Sequence, residues 1–429
     1  MGVAFVVLLA ALSGCGGAAD DVAGAVPGTV PSGEPISVSI SPAPTTSGQS
    51  SPGQPGAKTT SGPTRKQREA RSLRRAAEAA AQGEKRAKRR ARARSEKRAT
   101  RAAAVNPLAG RPWGVYQGPR EPTSAPYQQA TGAMKQALAT IALEPKAAWF
   151  GAWIGDDEIG ARVAEYVAGT QQGDPDALVQ MTVFRMVPWE QEACRRLPTA
   201  AEQASYRRWI DAFAAAVGDT PTAIVLQPDG PFALCAPGGP AVPAGLIGYA
   251  ARTLSALANT SVYIEVGAGD WPAPGQGGVA EVMRFLLPAG IEAARGVALN
   301  GTHYSATEVE VARGTAIVEE LAARGITGKH FVVNTSGNGN PFPFGTYTGP
   351  DPDNAFVCQS PSDHRTCVTL GIPPTADVAN PAWGLSEQAR TDAREYADGY
   401  LWFGRPWLNR QNYPFVMQRA LDLARSTPY

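Results

Sequence analysis

The stretch Ile224-Val225-Leu226-Gln227-Pro228-Asp229 decides the fold and points to the chemistry. Its apolar run predicts a buried strand, and Pro-Asp ends that strand with a carboxyl group at its tip. In a parallel α/β fold this tip faces the functional side of the sheet. A carboxyl group half-sunk in apolar surroundings has a raised pKa, as a general acid near neutral pH requires. The alternative is that Asp229 caps the following turn or helix, and this stretch by itself does not distinguish the two.

Similar apolar runs alternate with helical patterns along residues 105–429. Strands are predicted at Ala147–Ile154, Val179–Val187, Ala223–Leu226, Val262–Val266, Gly296–Leu299, Phe331–Val333 and Tyr400–Phe403. Helices are predicted at Ala201–Val217, Ala244–Leu257, Val279–Ala294, Ala306–Ala323 and Glu387–Ala397. Buried strands separated by helices indicate a parallel α/β barrel or a doubly wound sheet. The length of this region suits a barrel with long loops at one end.

Polar and aromatic side chains follow several of these strands. They are Asp229, Glu265, Trp271, Asn300, His303, Tyr304 and the segment Asn334–Gly339. Aromatic faces cover the apolar faces of sugar rings, while carboxylates and amides bind the hydroxyl groups, so the set predicts a polyol ligand. Taken singly, Trp271 is equally typical of a core or lid residue. His303 alone is typical of a hydrogen-bonded or surface histidine, and Asn334–Gly339 of a turn-rich loop.

Residues 1–15 resemble a lipoprotein signal peptide. An apolar segment from Val3 to Leu12, too short to span a bilayer, runs into Leu12-Ser13-Gly14-Cys15. This tetrapeptide resembles the bacterial lipobox, in which the cysteine takes a lipid and becomes the mature N-terminus. We therefore expect an exported protein that lipid on Cys15 anchors to the outer face of the cytoplasmic membrane. The alternative is a plain secretory signal and a secreted protein with Cys15 unmodified.

Two different spacers are predicted before the domain at residues 105–429. Residues 16–63 are rich in Gly, Pro, Ser and Thr and predict a disordered linker that cannot bury a core. Residues 64–104 form a basic spacer with 16 Lys and Arg against 4 Glu, a local charge of +12. Leu73 is its only large aliphatic side chain, so the spacer has no apolar face. We expect a solvated helical or disordered segment; contact with anionic lipid or wall polymer is the alternative.

The charge balance argues against nucleic acid as a partner. The whole chain carries +2 and residues 1–64 carry −2, so the +12 of the spacer leaves −8 for residues 105–429. An acidic domain that follows a basic spacer lacks the positive surface that nucleic acid requires. We expect a monomer whose partner is a polysaccharide.

The cysteines are typical of an exported protein without a metal centre. With Cys15 assigned to lipidation, four remain, Cys194, Cys235, Cys358 and Cys367, which allow three pairings. None lies in a CxxC motif and the three histidines do not cluster with them, so no zinc site is expected. There is no phosphate-binding glycine loop, GxSxG elbow or HExxH motif, and no cofactor is predicted.

The region 105–429 resembles glycoside hydrolase family 6, the cellobiohydrolases and endoglucanases that act on β-1,4-glucan. The segments that carry the resemblance are Asn106-Pro107-Leu108 with Pro112-Trp113, Ile224–Asp229, Tyr263–Trp271, Arg295–Tyr304, Phe331–Gly339 and Asp398–Trp402. The resemblance implies a distorted parallel barrel of about seven strands and inverting hydrolysis. It also implies a disulfide between Cys194 and Cys235 beside the acid loop, which leaves Cys358 to pair with Cys367.

The resemblance also implies roles for single residues. Asp229 matches the catalytic acid, and Glu265 falls where the family usually has a buried Asp that supports the site. His303 replaces an Asn commonly used to hold sugar. The implied substrate-binding set is Trp113, Trp271, Asn300, His303 and Tyr304.

Two departures from the family concern proton transfer. The family's Asp before the first disulfide cysteine is Ala193 here, and Glu190 and Glu192 lie close enough in sequence to substitute. After the last strand, where the family has the Asp usually assigned as the base, no carboxylate occurs from Gly399 through Leu421. The candidates for the base, acting directly or through water, are Glu190, Glu192, Glu265 and Asp270.

The sequence therefore supports three hypotheses. The first is a glucanase in which Asp229 donates the proton and Glu265 supports it, either with another base or with slow chemistry driven by the acid and ring distortion. The second is a cell-surface glycan-binding protein that cuts weakly or not at all, because the usual base is missing. The third is a tethered structural protein of the envelope. The ordered matches at several strand ends favour the hydrolase.

Overall fold

The computed structural model describes residues 106–429. The predicted signal peptide, linker and basic spacer at 1–104 lie outside the described residues. In the described part, seven parallel strands form one sheet in chain order. They are β1 Ala148–Gly151, β2 Val179–Phe184, β3 Thr222–Leu226, β4 Thr260–Glu265, β5 Gly296–Leu299, β6 His330–Asn334 and β7 Ala397–Leu401.

The sheet curls until its two edges approach each other. Lys146, just before β1, pairs with Trp402, just after β7, and the Ala147 N–H donates to the Trp402 carbonyl at 2.9 Å. The Trp149 indole N–H donates to the Phe403 carbonyl at 2.6 Å across the same gap. The predicted distorted parallel barrel of about seven strands is confirmed.

Helices cover the outside of the barrel. They are α1 Ser124–Gln129, α2 Gly132–Ala142, α3 Ile159–Gln171, α4 Ala200–Val217, α5 Ala241–Ser255, α6 Gly278–Leu286, α7 Thr307–Ala323, α8 Glu387–Tyr396 and α9 Met417–Ser426. The helix predicted at Val279–Ala294 is shorter in the structure, because Pro288 and Gly290 (φ +76°) follow α6. Within residues 106–429, no helix combines the length and apolar character needed to cross a membrane.

The strands are buried on both faces, as their apolar runs predict. Alternate residues of a strand point to opposite faces of the sheet. Val225 and Tyr263 belong to an apolar cluster inside the barrel, whereas Ile224, Leu226 and Ile264 belong to the larger cluster between the sheet and the helices. Because all seven strands are parallel, the segments that follow them meet at one edge of the barrel.

A third apolar cluster packs the chain that follows β7 against the barrel. It includes Trp402, Trp407 and Leu421. Between them a short hairpin forms from β8 Leu408–Asn409 and β9 Asn412–Phe415. This hairpin therefore stands at the position where the resemblance places a catalytic base.

Both expected disulfides are present. Cys194 and Cys235 join with their Cα atoms 4.7 Å apart and link the segment after β2 to the one after β3. Cys358 and Cys367 join at 5.0 Å and close a local loop between β6 and β7. Disulfides of this kind are a feature of proteins exported from the cytoplasm.

Candidate active site

Asp229 lies at the carboxyl end of β3, where the backbone turns sharply. Gln227 and Asp229 have φ values of +55° and +60°, in the left-handed region that non-glycine residues rarely adopt. Gly230 follows, and a Cβ atom there would lie 2.0 Å from the Glu265 carbonyl oxygen, so only glycine fits. The turn thus aims the Asp229 side chain away from the strand.

Asp229 does not act as a helix cap. It precedes a short 3-10 turn at Gly230–Cys235, but its side chain makes no capping hydrogen bond. Instead the Thr302 hydroxyl, from the segment after β5, donates to Asp229 Oδ1 at 3.1 Å. The structure thus excludes the capping role that the sequence left open for Asp229.

The surroundings of Asp229 suit a general acid. Burial raises the pKa of the Asp229 carboxyl to about 6, since desolvation disfavours the charged form. The charges of Glu190 and Asp353 add to the rise, whereas the charge of His303 and the Thr302 hydrogen bond oppose it. A group with this pKa is about half protonated at pH 6 and keeps its proton in about a tenth of molecules at pH 7.

Glu265 ends β4 directly beneath Asp229. Its side chain is 1% exposed, and its Oε2 accepts a hydrogen bond from the Gly230 N–H at 3.2 Å. Burial first, and then the charge of Asp229, raise the pKa of Glu265 well above its usual range. Burial and the charge of Asp229 thus disfavour ionisation of Glu265, and its hydrogen bond with the Gly230 N–H ties it to the turn that carries Asp229.

The two glutamates that could replace the family's missing Asp, Glu190 and Glu192, have different partners in the structure. Both are exposed, and Glu192 binds the Arg196 guanidinium at 2.9 Å. Glu190 instead contributes to the field around Asp229, and partial desolvation followed by the charge of Asp353 raises its own pKa. Ala193 is buried. Glu190 is thus the carboxylate that acts electrostatically on Asp229.

We expect Glu190→Gln to move the basic limb of the kcat/KM–pH profile to lower pH. The Glu190 carboxylate raises the pKa of Asp229, so without it Asp229 loses its proton at lower pH. The measurement is the pH profile on a soluble cello-oligosaccharide. Glu192→Gln is the control and should leave the limb in place. An unmoved limb in Glu190→Gln, or equal shifts in both variants, contradicts this assignment.

His303 lies in an aromatic stack at the same edge of the barrel. Its ring centroid is 5.8 Å from that of Trp271 and 4.4 Å from that of Phe344, with both pairs close to parallel. His303 Nδ1 donates to Asp270 Oδ1 at 2.7 Å, and the Phe344 N–H donates to Asp270 Oδ2 at 2.7 Å. Burial opposes ionisation of Asp270, but these bonds outweigh it and lower its pKa. Asp270 is thus a charged anchor, and the half-buried Trp271 and His303 border the site.

Two of the predicted sugar-binding residues, Asn300 and Tyr304, follow β5 but are buried. Asn300 is fully buried, and its amide donates to the Asn334 carbonyl at 3.0 Å. Tyr304 is 1% exposed, and its hydroxyl donates to the Pro352 carbonyl at 2.7 Å. Both side chains are thus occupied by contacts within the protein.

Trp113 lies at the opposite end of the barrel. It pairs with Leu178, the residue before β2, and its indole N–H donates to the Leu108 carbonyl at 3.0 Å. Its ring packs against the cluster inside the barrel and close to Gly399, near the start of β7. The structure therefore does not bring Trp113 next to Asp229.

Two residues near Asp229 were missed by the sequence reasoning. Thr302 is a small polar residue between Asn300 and His303, and no sequence pattern distinguishes it as functional. Asp353 lies in the long segment between β6 and β7, which has no periodicity from which its position could be predicted. Only the folded chain brings either one to Asp229.

The segment after β7 holds an arginine where a base is expected. The Arg405 guanidinium carbon lies 4.4 Å from the centroid of the Trp149 ring. Burial lowers the pKa of Arg405 to about 10, which leaves it charged. Asn334 Oδ1 accepts hydrogen bonds from the N–H groups of Phe403 and Gly404 at 3.1 and 3.0 Å. This segment is rigidly held and supplies a cation instead of a proton acceptor.

The family model described as "Glycosyl hydrolases family 6" matches residues 115–382. Endoglucanase A from Cellulomonas fimi is 31% identical over 227 residues, which cover 53% of this chain and 47% of that protein. Endoglucanase 1 from Streptomyces halstedii is 33% identical over 211 residues, which cover 47% of this chain and 61% of that protein. The chain thus spans about half the length of the curated relatives it matches.

Solved structures show the same fold. The endoglucanase Cel6 from Mycobacterium tuberculosis, in complex with methyl-cellobiosyl-4-deoxy-4-thio-β-D-cellobioside, matches with a TM-score of 0.56 and 27% identity, covering 74% of this chain and 98% of that chain. The catalytic core domain of the cellobiohydrolase Cel6A from Chaetomium thermophilum matches with a TM-score of 0.54 and 18% identity, covering 76% and 99%. At 18% identity the second likeness concerns the fold alone.

Proposed function

Because the chain belongs to the glycosyl hydrolases of family 6, we propose that it hydrolyses β-1,4-glucan or a related polysaccharide with inversion, Asp229 being the proton donor. The observation that carries the proposal is the state of Asp229. It is a half-buried carboxyl at the functional edge of the barrel whose pKa is raised to about 6. The endoglucanases among its relatives support the substrate class.

In this mechanism Asp229 gives its proton to the glycosidic oxygen as the bond to the anomeric carbon breaks. The positive charge that develops on the sugar ring faces a negative field from Glu190 and from Asp229 itself after proton transfer. Glu265 positions the Asp229 turn through the Gly230 N–H, and a charge on Asp229 disfavours ionisation of Glu265. Trp271 and His303 offer an aromatic border against which a sugar ring at the neighbouring subsite packs.

The experiment is to measure new reducing ends released from a panel of soluble and insoluble β-glucans by the full chain and by Asp229→Asn. We expect release from β-1,4-linked glucan that depends on Asp229. The α-anomer should appear first in the products, since inversion converts a β-linkage into an α-hemiacetal. Binding of glucan without Asp229-dependent release would contradict hydrolysis and favour a glycan-binding protein. Neither binding nor release would leave a structural role in the envelope.

We further propose that the chain is exported and held at the cell surface. The two disulfides support export, because such bonds persist in oxidising compartments. The sequence of residues 1–15 supports lipidation of Cys15, with residues 16–104 as the tether and its basic spacer in contact with anionic lipid or wall polymer. A tether of this kind places a monomeric catalytic domain where it meets polysaccharide outside the cell.

A further inference from the structure

Inverting hydrolysis requires a second carboxylate that takes a proton from the attacking water, about 6.5–9.5 Å from the acid. The segment that ordinarily supplies it has none here, from Gly399 through Leu421. We propose that Asp353, from the loop between β6 and β7, is the base that serves Asp229 in this protein. This inference rests on the proposed hydrolysis.

Hydrogen bonds and an ion pair hold the loop that carries Asp353 from two sides. Asp353 lies in a 3-10 turn at Pro352–Asn354, and Asp351 Oδ1 accepts from the Asp353 N–H at 3.1 Å. On one side, the Tyr304 hydroxyl donates to the Pro352 carbonyl at 2.7 Å. Tyr304 follows His303 directly, so this bond places the turn beside the aromatic border of the site.

On the other side, the hairpin after β7 holds the turn. Arg410 Nε binds Asp351 Oδ2 at 2.8 Å, and the Arg410 N–H donates to Asn354 Oδ1 at 3.2 Å. The Asn354 amide in turn donates to Asn409 Oδ1 at 3.3 Å. The segment that lacks a carboxylate therefore anchors the turn that provides one.

The Asp353 carboxylate is free to accept a hydrogen bond from water. It is half-buried, and in the described part of the chain it accepts no hydrogen bond from protein, while its neighbours on the turn are all engaged. The charged groups that face it are Asp229, Glu190, His303, Asp351 and Arg410. Burial first, and then Asp351, raise the pKa of Asp353, while Arg410 and His303 oppose the rise.

The hairpin that holds the Asp353 turn also contacts the acid's partner, because the Gln411 amide donates to the Thr302 carbonyl at 3.0 Å and the Thr302 hydroxyl donates to Asp229 Oδ1 at 3.1 Å. The charges of Asp353 and Asp229 influence one another, yet no hydrogen bond joins the two carboxylates within residues 106–429. Asp229 follows β3 and Asp353 follows β6, three strands further along the curled sheet. In the proposed mechanism the sugar ring and the attacking water lie between these two carboxyl groups, as an inverting pair requires.

The other acidic residues are less suited to this role. Glu265 is buried and hydrogen-bonded on the Asp229 side. Asp270 has one oxygen bound to His303 and the other to the Phe344 N–H. Glu190 sits on the loop that a disulfide ties to the acid loop, so it approaches from the side of the acid.

The step balances as follows. Asp353 takes a proton from water while the water oxygen forms a bond to the anomeric carbon on the face opposite the leaving oxygen. The glycosidic C–O bond breaks, and the leaving oxygen takes the Asp229 proton. The products are an α-hemiacetal and a new hydroxyl end. Asp353 is left protonated and Asp229 ionised, and exchange with solvent restores both.

The test compares Asp353→Asn with Asp229→Asn on two substrates, a cello-oligosaccharide and a 2,4-dinitrophenyl β-cello-oligosaccharide. The dinitrophenolate departs without a proton, so we expect Asp229→Asn to recover most of its rate on the second substrate. Asp353→Asn should lose about 10²–10⁴-fold in kcat on both, because water must still be deprotonated. Sodium azide needs no deprotonation and should restore turnover of Asp353→Ala, with an α-glycosyl azide as product.

Controls make each outcome decisive. Glu192→Gln removes an exposed carboxylate on the rim and should keep wild-type rates on both substrates. Thermal unfolding of Asp353→Asn, together with the milder Asp353→Glu, distinguishes lost chemistry from lost fold. Rates within a few-fold of wild type for folded Asp353→Asn would overturn the assignment, as would an equal defect and azide rescue in Glu190→Gln or Glu190→Ala. A wild-type chain inactive on every glucan would instead defeat the proposed function.

Discussion

Asp229→Asn is expected to lower kcat on cello-oligosaccharides by about 10²–10⁴-fold and to leave substrate affinity within a few-fold. The amide keeps the shape and the Thr302 hydrogen bond but has no acidic proton to give. Steady-state rates of reducing-end release and isothermal titration with the same oligosaccharide measure the two quantities. Comparable losses in kcat and affinity would mean that Asp229 holds the sugar and does not protonate the leaving group.

The pH profile provides a second measure of the same residue. Since the pKa of Asp229 is raised to about 6, we expect the basic limb of kcat/KM of the wild type near that pH, with activity lost above it. Asp229→Asn should lack this limb on a substrate with an activated leaving group. A wild-type basic limb that persists unchanged in Asp229→Asn would assign it to another group.

Asp398→Asn is expected to reduce the free energy of unfolding by about 3–5 kcal/mol, the usual cost of breaking a buried ion pair. Asp398 is fully buried at the amino end of β7. Its carboxylate accepts the Tyr263 hydroxyl at 2.6 Å and two Arg295 N–H groups at 2.8 and 3.0 Å. These bonds join β4, the start of β5 and β7 across the barrel, and the amide can replace them only in part.

Urea unfolding followed by tryptophan fluorescence measures this loss. Glu320→Gln is the matched control: it also removes a carboxylate from an arginine pair, but both side chains are largely solvent-exposed and it should change stability by less than about 1 kcal/mol. Equal effects in the two variants would show that the Asp398 cluster is no more important to the barrel than a surface pair.

The fold was predictable because its signals are local. Strand β3 is a run of five buried residues, Thr222–Leu226, and such runs recur between helices at intervals that a parallel barrel requires. Helix ends were less predictable, as α6 shows. There the apolar pattern continues past Leu286, and the chain nevertheless leaves the helix ahead of Pro288 and Gly290.

The candidate site was predictable in part, and the differences have a common cause. Asp229 and Glu265 were found because they end strands, where parallel topology carries side chains to one edge. Asn300 and Tyr304 also follow a strand, but their direction depends on partners such as Asn334 and Pro352 that lie far away in sequence. A residue that neighbours the site in sequence can therefore be buried and stabilise the site without pointing into it.

The sequence by itself determined a parallel α/β fold, the place of Asp229 at a strand tip and the absence of a carboxylate after the last strand. These follow from residue order and apolar periodicity, which need no knowledge of distant contacts. Tertiary structure alone decided that Asp229 binds Thr302, that Trp113 lies at the far end and that Arg410 of the last hairpin binds Asp351 in the loop between β6 and β7. Each of these depends on packing and charge between segments far apart in the chain, which only the closed sheet and its anchored loops bring together.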